Sequence, residues 1–199
     1  MTRLRSACKL SAHGVGIALL GLLVMFMALS ACREQSGVRR ESASPTATSP
    51  LQGTELPFET IEEHPAGTYY DTFYHGREPR IIILANREDL TALEGLRFKQ
   101  ARSQLELLDY DAYFAVVALR GYLGNLEDEI RIERIVRDVN TVTVRVTLVT
   151  AGRGTPAHPI ATSKAHVVRV RKVGTWGEAI TFNLVADHSI VASTERHIP

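Results

Sequence analysis

Reaction chemistry near neutral pH needs a thiolate, an imidazole with a partner to orient it, paired carboxylates, or a glycine loop that cradles phosphate. The 199-residue chain offers these groups sparsely. His64, His75, His158, His166, His188 and His197 are scattered, and no two stand at i+2 or i+4. Local spacing therefore gives no pair of imidazoles for one metal. Surface or capping histidines are the simpler expectation, with His166 inside a strand. In "LEDEI", Glu127, Asp128 and Glu129 are consecutive, whereas a calcium loop needs spaced oxygens and a glycine at its turn. A solvated charged turn is expected there. No G-x-S-x-G, H-E-x-x-H, G-x-x-x-x-G-K-[ST] or G-x-G-x-x-G motif occurs. These residues point to no catalytic group, no metal site and no cofactor.

Two glycine-containing loops carry what binding potential the sequence declares. "RGYLGN", residues 120–125, links a central strand to the next and is expected to expose Tyr122, Leu123 and Asn125. "AGRGTPAHP", residues 151–159, carries Arg153 and His158 between glycines and prolines. Aromatic and arginine side chains on loops of a stiff β scaffold are where binding tends to reside, and they equally serve to turn corners. Trp176 lies between Gly174 and Gly177; packing at the core edge is preferred over a ligand anchor.

The N-terminus explains both cysteines. Arg3, Arg5 and Lys9 precede an uncharged run from Gly14 to Ala31, "GVGIALLGLLVMFMALSA". A basic start, an apolar stretch and small residues at its end are the parts of a secretory signal. The run closes on Leu29-Ser30-Ala31-Cys32, which resembles the lipobox of bacterial lipoproteins. That resemblance implies a diacylglyceryl thioether on Cys32, cleavage after Ala31 and an acylated new amino terminus. Several acyl chains give the firm anchorage that one chain does not. An uncleaved signal anchor is the alternative, since the apolar run is just long enough to span a bilayer. Arg33 is not the aspartate associated with inner-membrane retention, so export to an outer surface stays permitted.

Removing residues 1–31 leaves 168 of the 199 residues, with 22 acidic and 20 basic side chains. A slightly acidic chain lacks the positive field that nucleic-acid binding needs. With Cys8 removed and Cys32 lipidated, neither a disulfide nor thiol catalysis is expected. Residues 33–53, "REQSGVRRESASPTATSPLQG", hold few apolar side chains and cannot offset their ordering entropy by burial. Residues 32–53 are expected to be a tether, holding one domain, residues 54–199, on the order of 25 Å from the bilayer. The expected location is the bacterial cell envelope, lipid-anchored and extracytoplasmic.

Period-2 alternation dominates that domain. In "TVTVRVTLV", Val142, Val144, Val146 and Leu148 face one way and Thr141, Thr143, Arg145 and Thr147 the other, which predicts a half-buried strand. "EIRIERI" alternates through Ile130 and Ile132 until Ile135 breaks phase, which predicts a bulge. Asp138 and Asn140 suit a hairpin turn between the two runs. "YFAVVAL", residues 113–119, is continuously apolar and predicts a central strand. Further strands are expected at Ile81–Ala85, Ala165–Arg171 and Ile180–Val185, with short runs at Phe58–Ile61 and Ile190–Ala192. One helix stands out: Asn86 caps "REDLTALEGL", which buries Leu90 and Leu93 and meets Gly95 near its end. The expected fold is mainly β with a minor α part, an antiparallel sandwich or curled sheet with one packed helix.

The order "LPFETIEE", "IIILANREDLTAL", "DYDAYFAVVAL", "IRIERIVRDVNTVTVRV", "TSKAHVVRVRK" is similar to the C-terminal domain of the protease-complex-subunit PrcB family over most of residues 56–172. Gly121, Glu133, Arg134, Ile135, Thr162 and His166 stand at matching positions. Asn125-Leu126-Glu127-Asp128 replaces that family's Thr-Gly-Gly-Tyr loop, and Lys164-Ala165 replaces Pro-Tyr. The resemblance implies an exported or lipid-anchored protein associated with a surface protease, and it brings no catalytic residues. The expectation is a non-enzymatic accessory or binding module that contacts another envelope protein, with a protease among the candidates. A protease-inhibitor-like domain and a small-ligand-binding envelope protein are the alternatives.

Overall fold

Alternation with period 2 can bury only one face of a strand, whereas "RIIIL" and "YFAVVAL" are apolar on both. The computed structural model, which describes residues 53–123, 125–152 and 162–199, resolves this by stacking three layers. The strands are β1 (Thr54–Glu55), β2 (Phe58–Glu63), β3 (Arg80–Leu84), β4 (Tyr113–Leu123), β5 (Glu129–Asp138), β6 (Thr141–Val149), β7 (Thr162–Arg171), β8 (Ala179–Ala186) and β9 (Ser189–His197). They form a five-stranded sheet, ordered β1-β5-β6-β8-β9, and a four-stranded sheet, ordered β2-β7-β4-β3. All neighbours are antiparallel except the parallel pair β6–β8. The predicted mainly antiparallel sandwich is what forms.

The main core lies between the sheets, where Phe114, Val116, Val168 and Val170 meet Ile132, Ile135, Val144, Phe182 and Leu184. A second core covers the other face of the four-stranded sheet, where Ala115, Val117, Leu119 and Val167 meet Leu90, Leu93, Ala101 and Leu105. Burial on both faces is why β4 reads as a continuous apolar run, and β4 does sit centrally, between β7 and β3. Trp176 packs half-buried against the main core, its ring 5.3 Å from that of Phe114.

Local detail bears out some expectations and refines others. The residues after Asn86 form a 3₁₀ helix, Arg87–Leu93, closed by a capping box in which Asn86 and Asp89 bond each other's backbone N–H. Leu90 and Leu93 are buried as expected, and Gly95 is left-handed at φ +79°. A second helix, α1 (Ala101–Glu106), has no side-chain cap from Gln100, so nothing local announces it. The bulge in β5 falls between Ile132 and Arg134, as the phase break requires. The β5–β6 hairpin turns through Val139, a β-branched residue held at φ +49°.

The registers place the connections at two ends. The turn at Val139 and Asn140, the 172–178 connection and the start of β1 share one end. The 64–79 connection, residues 124–128 and the β8–β9 turn share the opposite, loop end. Among the described residues, no helix is long and apolar enough to cross a membrane. The signal segment, Cys32, nearly all of the tether, Arg153 and His158 lie outside the described residues.

Candidate functional site

The loop end is built on β2, β4 and β7. Glu62, at the end of β2, is buried and points at the start of α1. Its Oε2 accepts from the backbone N–H groups of Gln100 and Ala101, both at 2.7 Å, and its Oε1 from that of Lys99 at 2.9 Å. This carboxylate supplies the cap that Gln100 lacks. Burial alone would raise its pKa; the three N–H groups and His64 outweigh that and hold it below the usual glutamate value.

His64 stands beside it. Its Nδ1 accepts from the Ala165 N–H at 3.2 Å, which puts the ring proton on Nε2, and Nε2 donates to Glu62 Oε1 at 2.6 Å. Burial pushes its pKa down, against the pull of Glu62. Both ring nitrogens are engaged in holding β2 against β7 and α1. His166 is likewise engaged: Nδ1 accepts from the Ile132 N–H at 2.8 Å, next to the β5 bulge, and Nε2 lies 2.9 Å from Thr60 Oγ1. Burial pushes its pKa down to about 4. The expectation of surface or capping histidines fails for these two, because each is a buried link between elements far apart in sequence.

The three carboxylates also differ from expectation. Glu127 is exposed, but Asp128 and Glu129 are 4% and 8% exposed, so this is not a solvated turn. Glu129 Oε2 accepts from the Ala66 N–H at 2.9 Å, and Asp128 Oδ1 accepts from that of Ala151. Lys164, 1% exposed, sends its ammonium to the carbonyls of Pro65 and Thr68 and to Thr68 Oγ1. Burial lowers its pKa, opposed by the three nearby acids. Together Glu129 and Lys164 fasten the loop that follows β2. Among the described residues, no group of three His, Cys, Asp or Glu side chains comes together as a metal would require.

What that loop displays is aromatic. "TYYDTFYHG", residues 68–76, contains Tyr69, Tyr70, Phe73 and Tyr74. Phe73 is held at φ +60°, a left-handed conformation that costs a bulky residue free energy. Asp71 Oδ1 fixes it by accepting from the Phe73 N–H at 2.9 Å. The Arg97 guanidinium carbon lies 3.8 Å from the centre of the Phe73 ring. The Phe73 ring is followed by His75 at 6.5 Å, and His75 by Tyr122 at 5.5 Å. A row Arg97–Phe73–His75–Tyr122 thus runs over the loop end. Beside it Tyr70 covers the His64 ring at 3.8 Å, and Lys99 Nζ lies 4.9 Å from the Tyr70 ring. A cleft of ≈ 270 Å³ opens there, lined by Ile61, Glu62, Pro65, Tyr70, Lys99 and Gln100 among others. Burial raises the Tyr70 pKa to about 12.

Of the residues expected from sequence to bind, Tyr122 joins this row, but not from a loop. β4 runs on to Leu123, with Tyr122 opposite Ser163 and Leu123 opposite Thr162, so "RGYLGN" is strand over its first four residues. Gly121 makes this possible. At φ +96° it forms the bulge before Tyr122, and a Cβ there would stand 2.2 Å from the Arg77 carbonyl oxygen. Tyr122 is consequently half-buried, with its N–H on the Gly76 carbonyl at 2.7 Å. Asn125 is engaged locally: its Oδ1 accepts from the Glu127 N–H at 3.1 Å and shapes the turn. The density of aromatic residues in 69–74 was the sequence signal for Phe73 and Tyr70; reading for strand periods passes over it.

No protein-family model, curated protein or solved structure matches this chain.

Proposed function

We propose that the protein is a lipid-anchored, extracytoplasmic lipoprotein whose domain acts as a non-enzymatic binding module, contacting another envelope protein through the loop end. The observation that carries this reading is Phe73. A strained aromatic residue whose ring lies against Arg97, in line with His75 and Tyr122, is a cost to the fold that binding can explain. Tyrosine and arginine are the residues on which protein interfaces most often depend. The fastening of the loop by Lys164 and Glu129 keeps the row ordered before contact, which lowers the entropic cost of association. An envelope protease is the first candidate partner, in line with the resemblance to the PrcB family.

The experiment is crosslinking in native envelopes, with the whole lipoprotein as bait and mass spectrometry of the crosslinked residues. One dominant partner is expected, with crosslinks near residues 68–76 and 122–128. Phe73→Ala and Tyr122→Ala should each reduce its capture about tenfold or more, the scale of an interface hot spot. A partner captured equally by wild type and both variants would refute the assignment of the surface. Enrichment of nothing beyond an unrelated lipoprotein would refute the module itself.

A further inference from the structure

The end opposite the aromatic row has features of its own. Val139 occupies the β5–β6 turn at φ +49° and is 76% exposed. Hairpin turns favour glycine, asparagine or aspartate in that conformation, so a branched apolar side chain there serves neither the turn nor the core. Val173, 38% exposed, lies beside it. The two valines rim an open cleft of ≈ 300 Å³ that Arg137, Thr54, Gly174 and Thr175 complete. Arg137 is pinned in place, its Nε on the Val139 carbonyl at 3.0 Å and its guanidinium carbon 4.0 Å from the Trp176 ring.

The chain itself says what covers this end. Gly53, the first described residue, stands against Arg137 here, and Thr54 pairs with Arg137. The 21 residues from Cys32 to Gln52 therefore connect to the domain at the end where the valines project. Asp138 and Glu178 accompany Arg137, Arg171 and Lys172 in this region, and Lys172 is tied to the carbonyls of Tyr110 and Pro199, so the charges are mixed rather than a basic surface seeking anionic lipid. We infer that this end rests on the bilayer that carries the lipid anchor, with Val139 and Val173 in the headgroup–acyl boundary of neutral phospholipid. The aromatic row then faces away from the membrane. This inference rests on the reading of Cys32 as the lipidated residue.

The test uses the full lipoprotein reconstituted in phosphatidylcholine vesicles, with the lipid on Cys32 checked by mass. Single cysteines replacing Val139, Val173 or, at the loop end, Glu78 are labelled with an environment-sensitive nitrobenzoxadiazole dye. The labels at 139 and 173 should shift to the blue and be quenched by nitroxide-bearing lipid, equally at low and high salt; the label at 78 should not respond. Lipid on Cys32 with no response at 139 or 173 overturns the resting face while the anchor reading stands. A response at 78 alone reverses the orientation and also overturns it. Absence of both lipid and vesicle binding overturns the anchor reading and this inference together. Val139→Asp and Val173→Asp in the same vesicles should reduce quenching at the remaining valine site, and unchanged quenching would deny that the valines make the contact.

Discussion

Replacing His166 with asparagine should change how the stability of the domain depends on pH. His166 bonds the Ile132 N–H through Nδ1, so it must be neutral there, and burial holds its pKa near 4 rather than the ordinary 6.5. Arg131 and His64 push the same way, while Glu129 opposes them. Between pH 6.5 and 4 the unfolded chain takes up a proton that the folded chain refuses, so stability falls as pH is lowered through this window. The full contribution, present above pH 6.5, is about 3 kcal/mol, most of which is lost by pH 4.5. Asparagine places an amide oxygen near the Nδ1 position, can still accept from Ile132, and does not titrate. At pH 8 the variant should be less stable by about 1–3 kcal/mol, from lost ring packing and the lost Thr60 contact. At pH 4.5 that deficit should vanish or reverse. Glu62 titrates in both proteins and cancels in the difference. The assay is urea unfolding of a soluble form, residues 33–199, followed by fluorescence of the single tryptophan, Trp176, from pH 4.5 to 8. A deficit that stays constant across this range would refute the assignment of the acid sensitivity to His166.

Two further substitutions test backbone conformations. Gly121→Ala should destabilise by about 3 kcal/mol, because its Cβ would collide with the Arg77 carbonyl at a left-handed φ. Urea unfolding within 0.5 kcal/mol of wild type would show that the bulge before Tyr122 is not needed. Val139→Gly should stabilise by about 0.5–1 kcal/mol, since relief of the left-handed conformation exceeds the added freedom of the unfolded chain. That corresponds to a rise in Tm of about 2 °C, readable by calorimetry, and a fall would refute it.

Where structure is local, the sequence announces it. β6 alternates because one face meets the core; β4 is apolar throughout because both faces do. The Asn86–Asp89 box marks a helix start within four residues. α1 was invisible for the opposite reason: its cap, Glu62, lies 38 residues before Gln100. His166 reads as an isolated histidine because its partners, Ile132 and Thr60, are 34 and 106 residues away. Tyr122 was legible as an aromatic beside glycines, yet its setting depends on Arg77 and Gly76 from another connection. Nothing periodic marks residues 68–76, whose arrangement comes from Lys164, Glu129 and Asp71 acting on the backbone.

The four-stranded sheet also constrains when the protein can fold. β7 is the hub between β2 and β4, and its pairing joins Phe58 to Val170. Until residues near 170 have been made, β2 has no strand to pair with and β4 lacks one of its two neighbours. Closing a loop of this length before any contact rewards it makes assembly slow. A chain that leaves the ribosome N-terminus first thus cannot complete this sheet until most of it has been made. Under the export proposed above, in which the chain crosses a membrane extended, that delay would be an advantage, because a sheet that closes late leaves the chain open for transport.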